Sequence, residues 1–148
     1  MKISSINDLE KISNKIRKKL TPGDVIFLYG EIGVGKTTFA RLLINNYEKE
    51  KNLKVSEVLS PTFNIVFEYD IKKLTIKHYD LFRLKNGSDI KNIGLFEDLE
   101  RTITLIEWPE FIKEKPSNRI DLFFEYSENM IERSLIIKAS GRLKIHEF

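Results

Sequence analysis

Ile6, Leu9, Ile12, Ile16 and Leu20 recur every three or four residues with lysine and arginine between them. That spacing predicts an amphipathic helix with one buried stripe. Asn7 followed by Glu10 has the form of a capping box with Asn7 as the N-cap, and Thr21-Pro22-Gly23-Asp24 supplies the turn chemistry that ends the helix. Val25 to Tyr29 is too apolar to alternate, the pattern of a central strand covered on both faces. After a glycine-rich interruption, Phe39, Leu42, Leu43 and Tyr47 share one helical face that Ala40 and Ile44 widen. Glu48-Lys49-Glu50-Lys51-Asn52 reads as a solvated charge run in which this second helix frays into a surface connection.

The second half changes rhythm. Asn64 to Tyr69 and Leu74 to Tyr79 read as two half-polar strands of a hairpin joined by Asp70 to Lys73, an antiparallel pair near a sheet edge. Lys85 to Asp98 is mixed, with Asn86-Gly87-Ser88-Asp89 as turn material and a short helix about Gly94-Leu95-Phe96. Ile103 to Trp108 is a second buried strand, carrying a carboxylate, Glu107, at its end. Pro109 and Pro116 bracket an irregular segment. Ile120 to Tyr126 and Ser134 to Ala139 finish the sheet, with Ser127, Glu128 and Asn129 between them. No internal repeat, low-complexity tract or linker interrupts the pattern, so residues 1–148 read as a single α/β domain.

The interruption after Tyr29 carries the chemistry. Gly30-Glu31-Ile32-Gly33-Val34-Gly35-Lys36-Thr37-Thr38 contains Gly-x-x-x-x-Gly-Lys-Thr between a strand and a helix, the form of a phosphate-binding P-loop. Glycines let the backbone turn tightly and approach a polyphosphate closely. The loop amides and the positive end of the following helix dipole then face the anion. Lys36 is placed to reach the β- and γ-phosphates and the Thr37 hydroxyl to ligate Mg²⁺.

Composition narrows the class. Of 148 residues 41% are apolar and 32% charged, a folded globular balance, and 25 basic against 22 acidic residues leave a net charge of only +3. That surplus is too thin to argue for nucleic acid. The absence of cysteine excludes disulfides and thiolate metal sites and suits a cytoplasmic protein; with only two histidines there is no basis for a zinc site. No apolar run approaches the ~20 residues of a membrane helix.

A P-loop needs an acidic element to hold the metal or orient the nucleophile. Glu107 ends the more buried strand and would be delivered to the sheet's carboxyl edge, where open α/β sheets bind ligands. Asp80 ends a more polar strand and is equally readable as a turn-capping aspartate. Thr62, in the proline-braced Ser60-Pro61-Thr62-Phe63 loop, has the place of a γ-phosphate sensor, or else its hydroxyl bonds its own backbone. Trp108, the lone tryptophan, reads as core packing or a stacking platform, and His78 as structural. No late Asn-Lys-x-Asp marks GTP specificity, which leaves ATP.

Taken together, Pro22 to Val25, Gly30 to Phe39, Ser60 to Phe63, His-x-Asp-Leu-Phe-Arg-Leu (His78 to Leu84) and Ile-Glu-Trp-x-Glu (Ile106 to Glu110) resemble the bacterial TsaE (YjeE) family. The resemblance runs from the first helix to Leu135. It implies a P-loop NTPase-type sandwich with a mixed parallel/antiparallel sheet flanked by helices. It implies a weak Mg²⁺-dependent ATPase that works with the TsaD–TsaB pair, which makes threonylcarbamoyladenosine beside the anticodon; tRNA is met through that complex. Carried onto this chain, Lys36 and the P-loop amides hold the phosphates of ATP, and Thr37 and Glu107 ligate Mg²⁺. Asp80 acts beside the metal or on the attacking water, and Thr62 serves the γ-phosphate side. Trp108, Glu110 and Arg133 match positions near the nucleotide. The competing readings are a small-molecule P-loop kinase and an ATP-dependent binding module; Arg83 is one internal candidate for an arginine finger.

Overall fold

The computed structural model describes residues 1–84, 87–145 and 148. Strands β1 (Lys2–Ile3), β2 (Val25–Tyr29), β3 (Val66–Ile71), β4 (Leu74–Asp80), β5 (Thr102–Glu107), β6 (Arg119–Tyr126) and β7 (Arg133–Ser140) make one sheet in the order β1-β7-β6-β2-β5-β4-β3. The four central strands β6, β2, β5 and β4 run parallel. β3 closes one edge antiparallel to β4, and β7 with β1 closes the other, antiparallel to β6. The sheet is therefore mixed, with the parallel strands inside as two-sided burial requires.

The two faces are covered differently. Helices α1 (Ile6–Arg17) and α2 (Lys36–Glu50) pack Leu9, Ile12, Ile16, Phe39, Leu43 and Ile44 onto Ile26, Leu28, Ile76, Leu105, Ile120 and Leu122. Each such fully buried side chain contributes about 1.5–3 kcal/mol. The opposite face, with Val25, Phe27, Tyr79 and Ile106, is covered by Leu81, Ile90, Leu95 and Ile112 from largely irregular segments. β2 is apolar without alternation, and β5 is buried at every position including Thr102 and Thr104, because both of their faces are sealed. No helix among the described residues is long and apolar enough to cross a membrane.

Several local expectations are corrected. The cap of α1 is Ser5, not Asn7: its Oγ accepts the Asp8 N–H, while the Asp8 carboxylate accepts the Ser4 N–H at 2.9 Å. The box sits two residues earlier because Ser5, extended and only two residues past the short β1, already starts the helix. Glu48 is no solvated charge but a buried latch. Its carboxylate accepts the Ser56 N–H (3.0 Å), the Ser56 hydroxyl and the Asn45 amide, fastening the chain that leaves α2. β3 begins at Val66, and its turn is Lys72-Lys73, with Lys72 at φ 59°. The short helix lies at α3 (Gly87–Lys91) and not about Gly94, which together with Leu95 and Phe96 forms turns. Lys85 and Asn86 of the expected turn lie outside the described residues, whereas Gly87 and Asp89 belong to α3.

Candidate functional site

β2 delivers the chain to Gly30, whose φ of +143° and crowded surroundings demand glycine: a Cβ there would meet the Phe124 carbonyl oxygen and the Val34 side chain at 2.7 Å each. Five residues on, Gly35 (φ +127°) is the N-cap of α2, and no side chain caps the first amides of that helix. Uncapped donors at the positive end of a fifteen-residue helix make an anion site. They open on a cavity of about 310 Å³ lined by Ile32, Gly33, Gly35, Lys36, Thr37 and Thr38 on one side. The other side is Ser60, Thr62, Asp80, Phe82, Glu107 and Trp108.

The acids reach the same cavity through sheet register. In the parallel β4–β5 pairing Asp80 stands opposite Glu107, and Glu107 stands opposite Leu28 of β2, just before the P-loop. Both carboxylates are buried. Thr37 Oγ1 lies 3.1 Å from Glu107 Oε1 and 3.0 Å from Oε2, so P-loop helix and β5 meet at one hydroxyl. His78 Nε2 lies 2.6 Å from Glu107 Oε2. The two possibilities for Asp80 turn out to be divided between its oxygens. Oδ1 accepts the Phe82 N–H at 2.9 Å, a local turn cap, while Oδ2 accepts the hydroxyls of Ser60 (2.6 Å) and Thr62 (3.1 Å). Thr62 thus bonds the acid across the loop, in place of the backbone bond that its sequence alone allowed.

The Ser60 loop is wound into a tight turn. Ile65 N–H donates to the Pro61 carbonyl at 2.6 Å, and the Ile65 carbonyl accepts the Asp80 N–H at 2.9 Å. Ile65 adopts φ +70°, a left-handed conformation that a β-branched residue strongly resists. The strain buys the turn that places Thr62 over Asp80.

Lys36 is buried, with Nζ donating to the Gly30 carbonyl at 2.5 Å and lying 3.7 Å from the centroid of the Trp108 ring. Burial lowers its pKa from the usual lysine value, and the charges of Glu107, Glu110 and Asp80 pull it partly back. Trp108, itself at φ +60°, also packs its ring against Phe82. Glu31 and Glu110 line a neighbouring hollow with Tyr29 and Phe123, not the cavity beside Thr37. Arg133 borders another groove, of about 370 Å³, with Ser4, Ser5 and Val34; Gly33, Gly35 and Thr38 line both this groove and the Thr37 cavity. Arg83 reaches the Phe63 carbonyl at 3.3 Å and does not line the Thr37 cavity.

The donor set fits a hard divalent ion supported by phosphate. A hydroxyl and two carboxylates converge, yet among the described residues no group of three or more His, Cys, Asp or Glu side chains forms a closed metal cage. Mg²⁺ suits that arrangement, since it keeps waters and takes further oxygens from a substrate's phosphates.

Residues 3–135 match the family described as Threonylcarbamoyl adenosine biosynthesis protein TsaE. The chain belongs to the TsaE family. A tRNA threonylcarbamoyladenosine biosynthesis protein TsaE from Rickettsia felis is 36% identical over 111 residues, covering 75% of this chain and 63% of that protein. Its counterpart from Rickettsia conorii is 37% identical over the same length, covering 75% and 61%. The chain therefore spans about three fifths of the length of these two TsaE relatives. The crystal structure of YdiB from Bacillus subtilis superposes with a TM-score of 0.73 at 25% identity, over 95% of this chain and 84% of that one. The P-loop α/β fold expected for TsaE is thereby shown.

Sequence reasoning passed over Ser60 and His78 as contacts of the acids. One signal was present: His78 lies two residues before Asp80 on a strand, and so on the same face.

Proposed function

We propose that this TsaE-family chain binds MgATP across the P-loop and the acid pair and hydrolyses it slowly. In this reading it is the ATPase component of the cytoplasmic machinery that builds threonylcarbamoyladenosine in tRNA. The observation that carries the reading is the Thr37 hydroxyl within 3.1 Å of both Glu107 oxygens, which ties the phosphate-binding helix to an acid on a different strand. Lys36, the P-loop amides and the N-terminus of α2 hold the phosphates. Thr37 and Glu107 hold Mg²⁺, which would supply charge neutralisation on the phosphates. Asp80 and Thr62 stand where an attacking water and the γ-phosphate need orientation. Trp108 packs over Lys36 and excludes water from the ammonium. The base and ribose are assigned to the groove that Arg133 borders.

Lys36 is the one cationic side chain among the described residues lining the cavity. Phosphoryl transfer rests on charge stabilisation and positioning, so one cation supports slow turnover alone and favours hydrolysis over a kinase, whose lid would bring arginines. Docking of the TsaD–TsaB pair is the proposed means of completing the site. Phosphate release from MgATP, measured with and without that pair, tests this. Turnover that rises on adding the pair supports the reading; no turnover in either case contradicts it.

A further inference from the structure

We propose that His78 is a positioning residue for Glu107, holding Oε2 so that the carboxylate stays turned toward Thr37 and the magnesium side of the cavity. The inference rests on the function proposed above.

His78 is fully buried near the end of β4, on the same face as Asp80. Its Nε2 lies 2.6 Å from Glu107 Oε2. An ionised carboxylate only accepts, so Nε2 carries the hydrogen and donates it. The Thr37 hydroxyl lies 3.0 Å from that same oxygen and 3.1 Å from Oε1, so it faces both oxygens while His78 holds one of them. The imidazole has no other polar use: Nδ1 finds no hydrogen-bond partner among the described residues. Its partners across the sheet, Phe67 on β3 and Leu105 on β5, are apolar. Packing alone would be served at least as well by an apolar ring, without burying an unpaired nitrogen. What the histidine adds is a single short bond to the acid that meets the P-loop threonine.

Without that bond Glu107 keeps only a hydroxyl donor, and Thr37 is the residue that must turn its oxygen to the metal. The carboxylate would then be free to rotate when the ion arrives. Groups that orient a metal ligand from behind typically account for about 10–100-fold in metal affinity or activity.

The test uses Trp108, the chain's one tryptophan, as a fluorescent reporter beside the cavity. The full chain is titrated with Mg²⁺ in the presence of a non-hydrolysable ATP analogue, and separately with the analogue in EDTA. His78→Phe fills the space without a donor. His78→Asn keeps an amide too short to reach Glu107, and His78→Gln places an amide nitrogen near the position of Nε2. The Mg²⁺ concentration for half-saturation is expected to rise about tenfold or more in His78→Phe and His78→Asn, and about threefold at most in His78→Gln. Analogue affinity in EDTA stays at the wild-type value in all three, because the Lys36 side is untouched. A general structural role would weaken both titrations together, and that result overturns the proposal. So does a Mg²⁺ midpoint in His78→Asn equal to wild type. Should His78→Phe fail to fold, the Asn and Gln pair decides. A wild-type protein with no Mg²⁺ response brings down the proposed function and this inference with it; a responsive wild type whose variants keep its Mg²⁺ midpoint brings down this inference alone.

Discussion

Ile32 to Thr38 supply one wall of the cavity from a single continuous stretch, whereas the facing wall gathers Ser60 and Thr62 from a loop, Asp80 from β4 and Glu107 from β5, with His78 of β4 behind it. The first wall is local chemistry. Glycine dihedrals and the start of a helix create it, and nothing distant need be in place for its amides to point outward. The second wall exists only through register. If β4 slipped by one residue against β5, Asp80 and His78 would swap to the face that carries Tyr79. Backbone strain follows the same division. Trp108, which lines the cavity, and Ile65, in the turn that carries Thr62, are non-glycine residues at positive φ, and both serve the assembled wall, at a typical cost of about 1–3 kcal/mol each. A site of this kind can bind phosphate with one wall and be tuned for chemistry with the other.

The largest expected effect lies in the assembled wall. Glu107→Gln keeps the size and a hydrogen-bonding end but removes the charge, and MgATP turnover should fall about 10²–10³-fold, as when a main electrostatic stabiliser is lost. Phosphate release checks it, and turnover within about threefold of wild type would separate Glu107 from the chemistry. Next is Thr62→Val. It removes one of the two hydroxyls on Asp80 Oδ2 while Ser60 remains. A hydroxyl bond to an ionised carboxylate is worth about 1.5 kcal/mol or more, so turnover should drop about tenfold with nucleotide affinity in EDTA unchanged. An equal loss in EDTA would place Thr62 in the phosphate-binding wall.

A smaller effect separates function from stability in the local wall. Burial lowers the Lys36 pKa, so between the folded-state value and the ordinary value of 10.5 the unfolded chain binds more protons than the folded one. This group's penalty is therefore complete below that window and fades as pH rises through it. Nucleotide-free Lys36→Met should melt a few degrees above wild type near pH 7, about 1 kcal/mol of stability at this size. The gain should shrink toward pH 11, as thermal unfolding across pH would show. A gain that grows with pH would refute the assigned cause.

Smallest is the cap of α1, which lies near the Arg133 groove. Ser5→Ala should cost about 1 kcal/mol in denaturant unfolding, and Asn7→Ala no more than about 0.5 kcal/mol. The reverse order would restore Asn7 as the cap.

The same contrast explains what could be read from the chain alone. The P-loop, both long helices and the central strands β2 and β5 follow from spacing, because each rule involved spans only a few residues. Glu107 and Asp80 were identifiable as acids at strand ends, and their meeting follows from the parallel β4–β5 register. The bond from Thr62 to Asp80 was not readable, since it depends on the Pro61–Ile65 turn and on a left-handed isoleucine that no propensity anticipates. Neither was the role of Glu48: a carboxylate in a charged run looks solvated until Ser56 folds back onto it. Ser5 lost to Asn7 for a related reason, because the strand ahead of it is only two residues long and owes its pairing to β7.

Calorimetric titration of a non-hydrolysable MgATP analogue into the wild-type chain and into Lys36→Ala tests most directly whether the two walls form one nucleotide site. Saturable binding that weakens about 100-fold or more in the variant, in line with the loss of a charge-assisted phosphate contact in a buried pocket, is the expected result. Equal binding by both proteins, or none by the wild type, would contradict it.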